Sequence, residues 1–451
     1  MTPSPAPDLA ADSGGRRVSV AHIALALPWV ALVIAARAPI RDNSFLWHVR
    51  AGTVQIDSGQ VLTTDPFSFT AGGEPWRTQS WLAELLYGWA ERWIDLGFVP
   101  WMVAATSLVL FTSIGTIAYL RSRSIRGSAL TLVLSTILLL APLAPRPVIF
   151  SFVLFALVIL AWERPSTQWA VPLLLWVWAA THGSFVIGGL YLVVTALARR
   201  DRKAVPVIGL SALLTLLTAH GLGVVEILLD FSRSSGALAL VSEWATPDFL
   251  TPTMAPFLAG TVIVMWGAMS GRVVKRDLFI IVPALVLGAT ATRAVPLAWL
   301  ALLPLIAHSV GSSSIRGGFS RVAAAAFFLV IVILPFLIGS GSEIDEDWFP
   351  VAAAMALEPL ATFHDDSAGG YLIYSMWPEH EVFIDDRAEL FGGRVAEFVE
   401  LRHGGGDWRH VFARDGIEQV LLRVSDGLVG RLLDSGWGVT YRDDLYAVLR
   451  P

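Results

Sequence analysis

Apolar runs separated by short polar turns fill most of the chain. They cover residues 20–40, 100–120, 128–143, 147–162, 169–181, 184–198, 204–220, 254–270, 278–292, 295–310 and 321–339, eleven in all. A hydrocarbon core about 30 Å thick asks for about 20 apolar residues per helix, so each run reads as a candidate membrane span. The turns support the count. With the N-terminus in the cytoplasm, the inner turns hold Arg121/Arg123/Arg126, Glu163-Arg164, Arg199/Arg200/Arg202/Lys203, Arg272/Lys275/Arg276 and Arg316/Arg321, the positive bias expected of cytoplasmic loops. The runs at 169–181 and 184–198 are short, but joining them would break this alternation. Their shared turn, Thr181 to Ser184, is therefore expected to be sunk below the surface, where it must line a protein or water cavity.

Eleven spans also place the C-terminus outside. Residues 1–19 read as a cytoplasmic tail, because the apolar run that follows Arg16-Arg17 is too long for a cleaved secretory signal. A transmembrane domain at 20–340 then carries one large extracytoplasmic loop at 41–99. Beyond 341 the pattern changes. Period-2 stretches such as Glu381 to Ile384 and Glu418 to Leu422, a helical stretch from Val395 to Leu401, and breaks at Gly369-Gly370, Gly392-Gly393 and Gly404 to Gly406 predict a small extracytoplasmic α/β domain at 341–451. The expected architecture is an α-helical polytopic membrane protein with this domain on its outer face.

Composition agrees. The 451 residues are 55% hydrophobic and 15% charged, with a mean hydropathy of +0.63, whereas a soluble domain is about 25% charged. With no cysteine, neither a disulfide framework nor a Cys-ligated metal site is open to the chain. From Glu343 onward there are 21 acids against 9 arginines, while the preceding residues carry 23 basic against 16 acidic side chains. The tail and the membrane part are different electrostatic objects.

Polar residues near the spans gather in the outer turns. Asp42, His48, Asp65 and Glu84 share the first outer loop; Arg146, His182, His220, Glu243 and Arg293 sit at the outer ends of later spans. A solute path would need such groups at mid-membrane instead. Each residue also has a plain structural reading. Asp42 could cap a helix, Asp65 before Pro66 could hold a turn, the arginines could snorkel, and the histidines could bond between helices. Asp385-Asp386-Arg387 reads more readily as a strand-end ion pair than as chemistry. Taken together, the functional reading makes Asp42, Asp65 and Glu84 the catalytic acids, with His48, Arg146, His182, His220, Glu243 and Arg293 around the substrate. Two guanidiniums suit a phosphate. Oxygen-rich ligands such as Asp42, with His48, would suit Mg²⁺ or Mn²⁺. Trp76, Trp81, Trp89 and Trp93 read as interfacial anchors of a short amphipathic helix around Trp81 to Leu86.

These pieces resemble the multi-span GT-C glycosyltransferase superfamily, in particular bacterial membrane proteins of the protein mannosyltransferase type. The resemblance rests on Asp42 just after the first span, Trp47-His48, Asp65-Pro66-Phe67-Ser68, Trp81-Leu82-Ala83-Glu84-Leu85, His182-Gly183, Glu243-Trp244, Arg293-Ala294-Val295-Pro296, Gly369-Gly370-Tyr371-Leu372 and Asp386-Arg387. It implies transfer of a sugar from a polyprenyl-phosphate-linked donor to a glycan, lipid or protein acceptor on the extracytoplasmic face. Many relatives carry an Asp-x-Asp pair where this chain has Asp42-Asn43-Ser44, so a second acid is expected from Asp65 or Glu84. A lipid-carrier flippase or a non-catalytic scaffold are the other classes the pattern admits. A path open to both faces would mark the first, and partner binding that survives loss of all three acids the second.

Overall fold

The computed structural model describes residues 28–29, 36–233, 242–311 and 342–451. The first outer loop is more ordered than its composition suggests. It holds two packed helices, α1 (Asn43–Ser58) and α2 (Trp81–Ile94). Asp42 opens α1 by accepting a 3.0 Å hydrogen bond from the Phe45 amide, and Gly59 closes it at φ 66°, a left-handed value that glycine adopts without a Cβ clash. Gly52 and Gly88 let the two backbones touch: a Cβ on Gly52 would stand 1.9 Å from the Glu84 carbonyl oxygen.

The bundle follows as α3 (Val99–Ser122), α4 (Ile125–Leu139), α5 (Val148–Trp162), α6 (Val171–Thr181), α7 (Phe185–Arg199), α8 (Val205–Thr215), α9 (Gly223–Arg233), α10 (Ala255–Met269), α11 (Leu278–Thr290) and α12 (Val295–Ser309). Nine of the eleven predicted spans fall on described residues, and each is helical. The run at 321–339 and most of that at 20–40 lie outside them. Among the described residues three helical runs, Trp81–Ser122, Pro252–Met269 and Thr292–Ser309, are long and apolar enough to cross a membrane. Ile125–Leu139, Val148–Trp162 and Phe185–Arg199 are apolar but shorter. At 1.5 Å per residue, a 15-residue helix is about 22 Å long, less than a full hydrocarbon core. Large aromatic residues fill the bundle, and their polar edges are satisfied: Trp162 bonds Thr195 at 2.8 Å and Trp299 bonds Ser135 at 2.9 Å.

The turns sort into two ends. At one end Glu163 pairs with Arg121 and Arg199, uniting three of the predicted inner turns. At the other end lie the turns carrying Asp42, Arg146, Glu243 and Arg293.

The tail forms α13 (Asp366–Met376), several shorter helices and a four-stranded sheet in the order β1-β2-β4-β3, from β1 (Thr362–His364), β2 (Gln419–Arg423), β3 (Gly438–Arg442) and β4 (Tyr446–Arg450). β1 runs parallel to β2, and β4 is antiparallel to both β2 and β3. Two local expectations are corrected. Glu381 to Ile384 is not a named strand but a segment held by a bridge between Val382 and Ser68. Gly369-Gly370 does not break the chain; both lie within α13, where a Cβ on Gly370 would meet the Asn43 carbonyl oxygen at 2.1 Å. Gly370 is small because α13 packs its backbone against the start of α1, and Gly369 because the Ile384 carbonyl lies 2.6 Å from where its Cβ would stand.

That contact belongs to a broad seam. Asn43 accepts from the Gly370 amide at 2.6 Å and donates to the Asp366 carbonyl at 3.0 Å. Trp377 donates to the Pro66 carbonyl at 2.9 Å, and one apolar core holds Phe45, Phe67 and Trp76 together with Tyr371, Leu421 and Val448. The tail is thus clamped onto the first outer loop.

Candidate active site

The N-terminus of α1 is the centre of the site. Its unpaired amides and helix dipole favour negative charge, and Asp42 occupies the capping position. Asp42 Oδ1 takes the Phe45 amide, while Oδ2 lies 3.1 Å from Arg146 Nε. Arg146, in the turn between α4 and α5, donates from Nη2 to Glu243 Oε1 at 2.5 Å. Arg293, between α11 and α12, stacks on Trp244 with 4.3 Å to the ring centroid and feels the charges of Glu243 and Arg146. Four chain segments more than 40 residues apart in sequence thus converge on one recess, with two acids and two guanidiniums. Asp42 and Arg146 also border a cavity of about 310 Å³, walled elsewhere mainly by apolar groups such as Val99, Val103, Leu143 and Pro145.

Electrostatics follow from this packing. Burial pushes the Asp42 carboxyl above its ordinary value, against the opposing pull of Arg146 and the Phe45 amide. Burial also acts upward on Glu243, but Arg146 outweighs it and the net shift is down. Arg293 is lowered by burial yet remains beside a carboxylate.

A third acid comes from the tail. Asp386, from the tail, accepts from Ser44 and, at 2.7 Å, from Trp47 Nε1, one turn apart on α1. It reaches the same recess and contributes to the fields felt by Arg146 and Arg293. Its neighbours divide the labour. Arg387 binds Asp385 through Nε at 2.8 Å and Asp65 through Nη1 at 2.7 Å, all three buried, with the guanidinium 4.6 Å from the centre of the Trp76 ring. The ion pair read from the sequence forms between Asp385 and Arg387, but it is buried and follows no strand, and the Asp386 carboxylate is bonded instead to Ser44 and Trp47 on α1.

Asp65 and Glu84 do not join Asp42. Asp65 is consumed by its own turn, accepting from the amides of Phe67 and Ser68 at 3.2 and 3.1 Å as well as from Arg387. Glu84 is completely buried between α1 and α2, taking Gln55 at 2.6 Å, His48 at 2.8 Å and Thr78. The oxygens of both face inward to these donors, away from the recess at Asp42. His48 likewise serves Glu84. His220 Nε2 contacts the Thr78 carbonyl at 2.6 Å, outside the recess network. His182 bonds Ser184 at 2.9 Å, and burial, helped by the charges of Arg293 and Arg146, pushes its imidazole down to about 3. Trp89 and Trp93 are exposed on α2 as interfacial anchors should be, but Trp76 is buried beneath Arg387.

The divalent-metal expectation fares poorly on donor chemistry. Asp42 and His48 have separate partners, and among the described residues no group of three or more His, Cys, Asp or Glu side chains is arranged to hold a metal ion. A guanidinium against Asp42 is also the wrong neighbour for a cation. The residues do not fit Mg²⁺ or Mn²⁺, and no chemical step below passes through one.

No protein-family model matches this chain, and no curated protein matches it. Among solved structures, the crystal structure of ArnT from Cupriavidus metallidurans in the apo state is similar, with a TM-score of 0.55 at 14% identity over 95% of this chain and 97% of that one. The likeness is one of fold, and it runs nearly the length of both chains.

Proposed function

We propose that this protein is an integral membrane glycosyltransferase that moves a sugar from a polyprenyl-phosphate-linked donor to an acceptor on the extracytoplasmic face. The observation that carries the reading is the chain of contacts Asp42–Arg146–Glu243, with Arg293 beside it, at one end of a GT-C bundle.

In this reading Arg146 and Arg293 hold the donor phosphate. Their charge stabilises the oxyanion that forms as the bond from the anomeric carbon to the phosphate oxygen breaks. Electrons of that bond leave with the lipid phosphate. Asp42 takes the proton of the acceptor hydroxyl as its oxygen bonds to the anomeric carbon, and attack opposite the leaving group inverts the configuration. A carboxyl raised by burial is a better proton acceptor at working pH than an ordinary aspartate. The apolar wall beside Asp42 and Arg146 fits the first isoprene units of such a donor. His182, close to both arginines, faces the same substrate, and the exposed apolar side of α2, with Leu86, Trp89 and Trp93, suits a helix lying in the membrane interface.

The test is Asp42→Asn in membranes supplied with a panel of polyprenyl-phosphate-linked pentoses and hexoses. The amide still accepts from Phe45, so the helix cap survives. Release of polyprenyl phosphate should fall by about 10²–10⁴-fold, the usual contribution of a general base. Turnover at the wild-type rate removes Asp42 from the chemistry.

A further inference from the structure

We infer that Asp386, carried by the C-terminal domain, is the second carboxylate of the site and occupies the role left open by Ser44. The inference deepens the transferase reading and rests on it.

Three observations carry it. First, the residue two places after Asp42 is a serine, and its hydroxyl is hydrogen-bonded to the Asp386 carboxylate. An acid belonging to the tail therefore stands at the tip of the side chain where an acid on α1 would have reached. Second, Ser44 and Trp47 lie three residues apart on one face of α1, so Asp386 is held by two donors at the same helix N-terminus that Asp42 caps. Third, Asp386 is accessible while Asp65, Asp385 and Glu84 are buried and taken up by Arg387 or by neutral donors. Among the described residues, Asp42, Asp386, Glu243 and Glu389 contribute to the field at Arg146 or Arg293. Glu243 is engaged by Arg146, and Glu389 lies on the Trp76 side.

The division of roles follows from chemistry. Asp42, next to Arg146, takes the proton from the acceptor. Asp386 faces the sugar, where positive charge develops on the ring as the glycosidic bond breaks. The site is complete only with the tail docked, so the C-terminal domain is part of the active site and not an appendage that recruits acceptors.

Relocating the charge separates this role from a structural one. In Asp386→Asn the amide oxygen still accepts from Trp47 and its nitrogen can donate to Ser44, so docking persists while the charge is lost. Ser44→Asp, in the first turn of α1, returns a carboxylate to the same spot, where the helix dipole tolerates it. Membranes carrying each variant would be given the polyprenyl-phosphate-linked sugar that wild type turns over best. We expect Asp386→Asn to lose about 10²-fold or more of polyprenyl phosphate release, and the double variant Ser44→Asp/Asp386→Asn to regain at least about tenfold of it, with both proteins monodisperse in detergent. Activity of Asp386→Asn near that of wild type, or a double variant no better than the single, overturns the inference and leaves the function standing. A wild-type protein inert towards every donor in the panel brings down the function and the inference together.

Discussion

Arg387 shows how much a single side chain organises. Its guanidinium is buried, holds Asp385 and Asp65 at once, and lies over Trp47, Phe67 and Trp76. Two carboxylates from opposite sides of the seam depend on this one cation. Removing it leaves uncompensated buried charge, which costs about 3–5 kcal/mol. Arg387→Met should therefore lower the thermal midpoint in detergent sharply, and Asp65→Asn with Asp385→Asn should recover most of the loss in the triple variant. A single variant as stable as wild type would show that the three charges are not coupled. The same residues explain what the sequence could and could not disclose. Asp42, Arg146, Glu243 and Arg293 stood out because each is a polar residue beside an apolar run. Asp386 stands out only as part of Asp386-Arg387, and nothing local separates its role from that of Asp385; the difference lies in partners 342 residues away for one and two residues away for the other. Asp65 and Glu84 drew attention for the same reason as Asp42, yet their polarity is spent on a turn and on a helix–helix contact.

At the scale of elements, the pairing of α1 with α2 sets where Asp42 and Ser44 point. Amphipathic periodicity announced α2, and its exposed Trp89 and Trp93 fit the interface expected for it. α1 lies inside the stretch that reads as the 41–99 loop, because a histidine, an arginine, a glutamine and one acid interrupt its apolar positions. Those polar residues turn inward to partners on α2 and the tail: His48 and Gln55 meet Glu84, and Arg50 donates to the Tyr374 carbonyl. What allows the close approach is a glycine on each helix, Gly52 and Gly88, whose backbones meet directly. Gly52→Ala must push α2 away, because the obstructing atoms are backbone and cannot swing aside. Overpacking of this kind costs about 1–3 kcal/mol or more. The expected outcome is a lower thermal midpoint together with reduced donor turnover, since Asp42 and Ser44 move with α1. Unchanged stability would mean that the helices can separate without cost.

For the whole molecule, the seam between tail and first loop decides how the two parts can be taken apart. The apolar core that includes Phe45, Phe67 and Trp76 is completed by Tyr371, Leu421 and Val448, so neither side closes it alone. Polar contacts cross it as well, from Asn43 to Gly370 and from Trp377 to Pro66. If the tail merely captured acceptors, removing it would spare donor hydrolysis and abolish only transfer. The geometry argues for the other outcome. Truncation after Ser342 strips Asp386 from the recess, leaves Asp65 without Arg387 and uncovers the aromatic face of α1, so hydrolysis and transfer should vanish together and the membrane part should aggregate in detergent. Release of polyprenyl phosphate by a monodisperse truncated protein, in an assay where wild type is active, would return the tail to an accessory role and confine the chemistry to the membrane bundle.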